Sequence, residues 1–161
     1  MSYEIELLPS IQSRLRCTAE IYKRNFFNPS VINVIVDTGC PNTLIPLHRA
    51  KIFGVKTEIK QTITVGNFSG ETTAYIIRRI QFGTVELRSV VMFAAEFKRE
   101  LQDTILLGLN IMNNWNYTVK RNVNKIELDE VFDDDTRNSK YPYQRYFSGP
   151  EKLSFIQESI E

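Results

Sequence analysis

The sequence predicts an all-β protein, folded as a small closed barrel with one or two short helices. Two observations carry that expectation. Apolar and polar residues alternate over many short stretches, the period of a half-buried strand, and Gly, Asn and Pro turns separate these stretches at regular spacing. Only Pro46 to Phe53 and Leu109 to Trp115 read as short helices. Many short strands with few helices favour closure into a barrel, which leaves no long exposed edge.

The elements follow in order. Leu15, Cys17, Ala19 and Ile21 alternate with Arg14, Arg16, Thr18 and Glu20. A turn at Asn28-Pro29-Ser30 leads into an aliphatic run, Val31 to Val36, which reads as a buried strand. The helix from Pro46 to Phe53 stops at Gly54, a plausible C-cap. Ile59, Ile63 and Val65 share one strand face, opposite Lys60, Thr62 and Thr64. Gly66-Asn67-Phe68-Ser69-Gly70 then reads as a turn. Ala74, Ile76, Ile80 and Phe82 form a long alternating stretch that turns at Gly83-Thr84 into Val85, Leu87, Val91 and Phe93. Glu96 to Asp103 is charged and reads as a loop before the apolar Ile105 to Leu107. A last hairpin is expected from Tyr117 and Val119, a turn at Asn122 to Asn124, and Ile126 and Leu128.

A chain of 161 residues has room for one domain and a tail. The expected domain covers residues 1–130. The acidic run Asp133-Asp134-Asp135 and the aromatic Tyr141, Tyr143, Tyr146 and Phe147 mark 131–161 as a C-terminal extension. A net charge of +1 argues against a nucleic-acid partner, since clusters such as Arg78-Arg79 and Lys120-Arg121 are too small to be an electrostatic footprint. No apolar stretch approaches spanning length and Met1-Ser2-Tyr3-Glu4 does not open a secretory signal, so no membrane partner is expected and the cytoplasm is the expected compartment. Cys17 and Cys40 are too few for a disulfide framework and lack zinc-site spacing. The lone His48 reads as a structural residue of a surface helix. No metal and no cofactor are expected.

The chemistry concentrates where the aliphatic run meets Asp37-Thr38-Gly39. A carboxylate at the edge of a core is costly unless it is hydrogen-bonded or used. Glycine lets backbone approach that carboxylate closely. A second apolar segment, Ile105-Leu106-Leu107, ends in Gly108. Together VINVIVDTGCPNTLIP (Val31 to Pro46) and TILLGLNIM (Thr104 to Met112) resemble the two motifs of the retropepsin-like aspartic proteases, a single-domain family that includes the retroviral proteases. The likeness runs from about Leu15 to Leu128, with Thr43, Leu44 and Ile45 at motif positions and Asn110 where the second motif commonly carries Asp or Asn.

The resemblance implies a retropepsin-type barrel assembled as a symmetric homodimer, acting as an endopeptidase on a peptide or protein substrate. Asp37 would be the catalytic carboxylate, Thr38 the hydroxyl that braces the two active-site loops, and Gly39 the backbone offered to the site. Gly66, Asn67, Phe68, Ser69 and Gly70 would form the substrate-covering flap. A single Asp-Thr-Gly rules out a two-lobed monomer, so each subunit would supply one Asp37. Glu4 to Leu8 and part of the tail are the candidates for a shared dimer sheet. Three positions depart from the retroviral pattern. Cys40 replaces a small Ala or Ser, Pro41 replaces an aspartate whose N–H grips substrate, and Leu109 replaces the arginine that pairs with that aspartate. The alternative function is a retropepsin-fold dimerisation or peptide-binding module that does not cleave.

Overall fold

Period-two burial builds the first sheet, as expected. The computed structural model describes residues 3–8, 14–23, 28–65, 68–97 and 103–131. The extension beyond Val131, most of the expected 96–103 loop, and Gly66 and Asn67 of the expected turn lie outside this set. Strand β1 is Tyr3–Glu6, β2 is Leu15–Ile21, β3 is Ser30–Val36 and β4 is Leu44–Pro46. Helix α1 (Leu47–Phe53) precedes the long strands β5 (Gly54–Val65), β6 (Phe68–Phe82) and β7 (Val85–Ala95). Strand β8 (Thr104–Leu107) and helix α2 (Leu109–Met112) lead to β9 (Trp115–Lys120) and β10 (Lys125–Val131).

Six strands close a barrel in the order β2-β3-β8-β4-β7-β6, with β6 returning to β2 through Ala19↔Phe82, Glu20↔Gln81 and Ile21↔Ile80. The fold is therefore all-β with a few short helices, as the alternation predicts. Strand β5 extends the sheet beyond β6 as one arm of a hairpin. A separate sheet, β1-β10-β9, lies beside the barrel. Phe82 and Trp115 meet edge to face at 6.1 Å between ring centroids, and both are buried. Burying such side chains contributes about 1.5–3 kcal/mol each.

Four details differ from the sequence expectation. Val31 is 64% exposed, because Ile32 and Val34 take the inner face and Val31 and Asn33 point outward; only Val34 to Val36 are buried without interruption. Helix α2 ends at Met112 rather than reaching Trp115, since β9 takes Trp115 into register with Val131. Phe68, Ser69 and Gly70 belong to β6 and not to a turn: Val65 pairs with Phe68, leaving a two-residue connection. On β6 both faces are covered, since Tyr75 and Ile77 are buried as well as Ala74 and Ile76. Gly54 explains how. A Cβ there would sit 3.0 Å from the Ala50 carbonyl oxygen and from Ile77, and 3.2 Å from Tyr75, so α1 presses directly onto the outer face of the sheet.

The N-terminal strand is tied within its own chain. Tyr3 to Glu6 pair with Leu128 to Lys125 of β10. On the other edge the Glu4 amide donates to the Thr84 hydroxyl at 2.9 Å, and the Thr84 amide donates to the Glu4 carbonyl at 3.1 Å. Gly83 makes that contact possible: its φ is +58°, and a Cβ would fall 2.2 Å from the Glu4 carbonyl oxygen.

Candidate active site

Strands β3 and β8 run parallel, Asn33↔Thr104 through Val36↔Leu107, and end side by side. The next residue, Asp37, remains tied to that sheet, its amide donating to the Leu107 carbonyl at 2.9 Å. Its carboxylate is thereby fixed at the rim of the barrel, half-buried, beside exposed Thr38 and Gly39. The turn closes on itself: the Gly39 amide donates to Asp37 Oδ1 at 3.0 Å and the Cys40 amide to the Asp37 carbonyl at 3.1 Å. A Cβ at Gly39 would sit 3.3 Å from Asp37 Oδ1, a tight contact that the carboxylate would have to shift slightly to relieve.

The second motif is threaded under this loop. At Gly108 a Cβ would fall 2.6 Å from the Cys40 carbonyl oxygen and 2.7 Å from that of Asn42. Backbone on both sides leaves no room for any other residue. The Leu109 amide then donates to the Cys40 carbonyl at 2.9 Å and the Asn110 amide to the Pro41 carbonyl at 3.0 Å. Fully buried Thr43 is the centre of the junction. Its amide and its hydroxyl each donate to Asn110 Oδ1 at 2.7 Å, while its hydroxyl accepts the Gly108 amide at 3.0 Å. Asn110 Nδ2 donates onward to the Val91 carbonyl at 3.0 Å.

Thr43 and Asn110 thus join the two loops, a role the sequence by itself does not assign them. Their only signal there is their place in the two motifs. Pro41 and Leu109 sit where an ion pair joins the loops in retroviral members, and here backbone bonds and the Asn110 side chain make that join. Cys40 packs as a small apolar residue: it is buried, its thiol donates to the Asn42 carbonyl at 2.8 Å, and burial pushes its pKa up. Cys17, buried among barrel residues, is pushed up to about 12. His48 is exposed on α1 and, with Arg49, holds Asp103 at 2.9 and 3.0 Å, which lowers the Asp103 pKa.

Of the expected flap, Gly66 and Asn67 lie outside the described residues. Ser69 and Gly70 are strand residues, paired with Thr64 and Ile63, and the Ser69 and Thr64 hydroxyls meet at 3.1 Å. The hairpin is linked to the Asp37 loop, for Asn42 Nδ2 donates to Gln61 Oε1 at 3.4 Å. Among the described residues no helix is long and apolar enough to cross a membrane.

Comparison with known proteins agrees with this geometry. A family model described as "gag-polyprotein putative aspartyl protease" matches residues 26–114, more than half of the chain and including both loops. No curated protein matches the sequence. The crystal structure of a retropepsin-like aspartic protease from Rickettsia conorii superposes with a TM-score of 0.52, covering 80% of this chain and 91% of that one. At 12% identity that likeness establishes the fold. With both motifs on adjoining barrel loops and the family match spanning them, the chain belongs to the retropepsin-like aspartic proteases.

Proposed function

We propose that the chain is an aspartic endopeptidase whose active site forms between two copies, each contributing Asp37. The observation that carries this reading is the placement of Asp37: half-buried at the end of a barrel strand, its backbone bonded into the sheet, on a loop stitched to the Gly108 segment. A turn aspartate with no task needs none of that support.

Two carboxylates facing each other across a two-fold axis cannot both ionise, so they share a proton, as aspartic proteases generally do. The ionised one takes a proton from a water held between them, and the water oxygen attacks the scissile carbonyl carbon. The protonated one donates to the carbonyl oxygen. Collapse of the tetrahedral intermediate breaks the C–N bond and a proton passes to the leaving amine. The Gly39 amide bonds Asp37 Oδ1, which holds one oxygen and leaves the other for water and substrate. Exposed Thr38 bonds across the axis to the other subunit's loop. Gly66, Asn67, Phe68, Ser69 and Gly70 cover bound peptide.

The catalytic unit is residues 1–130, and 131–161 is an extension. Two buried, unbridged cysteines suit a reducing cytoplasm. Cleavage of an unfolded protein substrate, with and without a pepstatin-like transition-state analogue, tests the reading. Inhibitable cleavage that disappears in Asp37→Asn supports it; a folded dimer that binds peptide without cutting would favour the non-catalytic alternative.

A further inference from the structure

A second cleft shares no lining residue with the Asp37 and Gly108 loops, and of the proposed flap only Gly70 reaches its lining. It opens between α1, the hairpin strands β5 and β6, and the end of β7, and its lining includes Lys51, Lys56, Glu71, Tyr75 and Glu96. Its charges are unequally matched. Glu71 faces Lys60 at 3.8 Å, whereas Lys51 and Lys56 have no carboxylate partner among the described residues. Glu96 is left as one exposed acidic group against two uncompensated cations.

Tyr75 supplies the second observation. It is only 4% exposed, yet its hydroxyl has no hydrogen-bond partner among the described residues. Set in the wall of the cleft, that phenol is free to donate to a ligand that enters it. Burial also pushes the Tyr75 phenol above its ordinary pKa, so it remains a donor at neutral pH. A hydroxyl donor and two ammonium donors around one opening are complementary to a compact acceptor-rich anion.

We propose that this cleft binds a small oxyanion of the phosphate or carboxylate class, held by Lys51, Lys56 and the Tyr75 hydroxyl. Its position gives binding a mechanical consequence. Lys56 pairs with Tyr75 at the last regular rung before the β5–β6 register shifts, and pairing resumes at Lys60↔Thr73. Buried Thr57 stitches that irregularity, donating to the Ala74 carbonyl at 2.8 Å and accepting the Ile59 amide at 3.1 Å. An anion bridging Lys51 of α1 to Lys56 of β5 would pin the hairpin where its ladder is interrupted.

The test reads binding directly and does not depend on the proteolytic reading. Inorganic phosphate and, separately, sodium acetate are titrated into the full chain, with sodium chloride at matched ionic strength as control, while backbone amide NMR shifts are followed. Saturable shifts at Lys51, Lys56, Glu71 and Tyr75 are expected with at least one of the two oxyanions. Which of the two saturates assigns the ligand to phosphate or carboxylate. Lys51→Gln combined with Lys56→Gln should weaken binding by at least about tenfold, the scale of one charge-assisted hydrogen bond. Tyr75→Phe should also weaken binding while leaving the unfolding midpoint little changed, since the hydroxyl it removes bonds no other described residue. Shifts no larger than those from chloride, or shifts that survive the double glutamine variant, would overturn the proposal.

Discussion

Asn110 Oδ1 accepts two hydrogen bonds from Thr43, one from its amide and one from its hydroxyl, both at 2.7 Å. This single oxygen joins the loop after β3 to the loop after β8. Replacing it leaves two donors of a fully buried residue without an acceptor. Asn110→Ala should therefore destabilise the protein by about 2–4 kcal/mol in urea unfolding. A loss below about 0.5 kcal/mol, the size expected at an ordinary surface site, would show that the junction does not depend on it.

Gly108 has no space for a side chain, since a Cβ there would lie within 2.7 Å of two carbonyl oxygens. Neither is the flexible end of a side chain, so relief requires moving the Asp37 loop. Gly108→Ala should cost more than about 2 kcal/mol and depress cleavage further than its loss of stability explains. Thermal melts alongside kinetics at a temperature where the variant is folded would show this. A variant with normal stability and normal rate would contradict the packing described.

The two thiols should be inert in the native protein. Cys17 is pushed up to about 12 by burial, and Cys40 is raised for the same reason. The thiolate is the reactive form, so an aromatic disulfide reagent at pH ~8 should label neither until denaturant is added. Prompt labelling of either native thiol would show that the loop around Cys40 or the barrel around Cys17 opens readily.

Asp103 makes a pH prediction. Its hydrogen bonds to His48 and Arg49 lower its pKa from 3.8, so the stability it contributes is full above that value and is lost as pH falls through the lowered one. The group is well exposed, and the effect is small. Asp103→Asn should flatten the fall in urea midpoint on the acid side of pH ~4 while leaving its value near pH ~7 little changed. Acid slopes identical to the wild type would show that this cluster carries no stability.

Much of this architecture is legible in the sequence, and the exceptions have physical causes. The alternation from Leu15 to Ile21 and the turn at Gly83-Thr84 report structure directly, because each depends on neighbours in the chain. Strand β1 is not legible as a barrel-side strand, since its partner β10 lies more than a hundred residues away and only Tyr3 and Ile5 alternate with its glutamates. Tyr75 and Ile77 disguise the alternation of β6 because α1 covers its outer face. At the site, Asp37-Thr38-Gly39 announces itself as a tripeptide. The Thr43–Asn110 join spans 67 residues, and no local pattern encodes it.

Subunit mixing with Asp37→Asn tests the central claim most directly. If each site needs one Asp37 from each of two chains, a heterodimer with one Asn has lost half of its acid–base pair and should not cleave. Activity should then follow the square of the wild-type fraction once subunits have exchanged, roughly a quarter at equal mixing if pairing is random. Total protein is held constant, well above the dimer dissociation constant, so that changes in assembly do not enter. Activity that falls only in proportion to the wild-type fraction, or an Asp37→Asn dimer that cleaves by itself, would contradict a shared two-aspartate site.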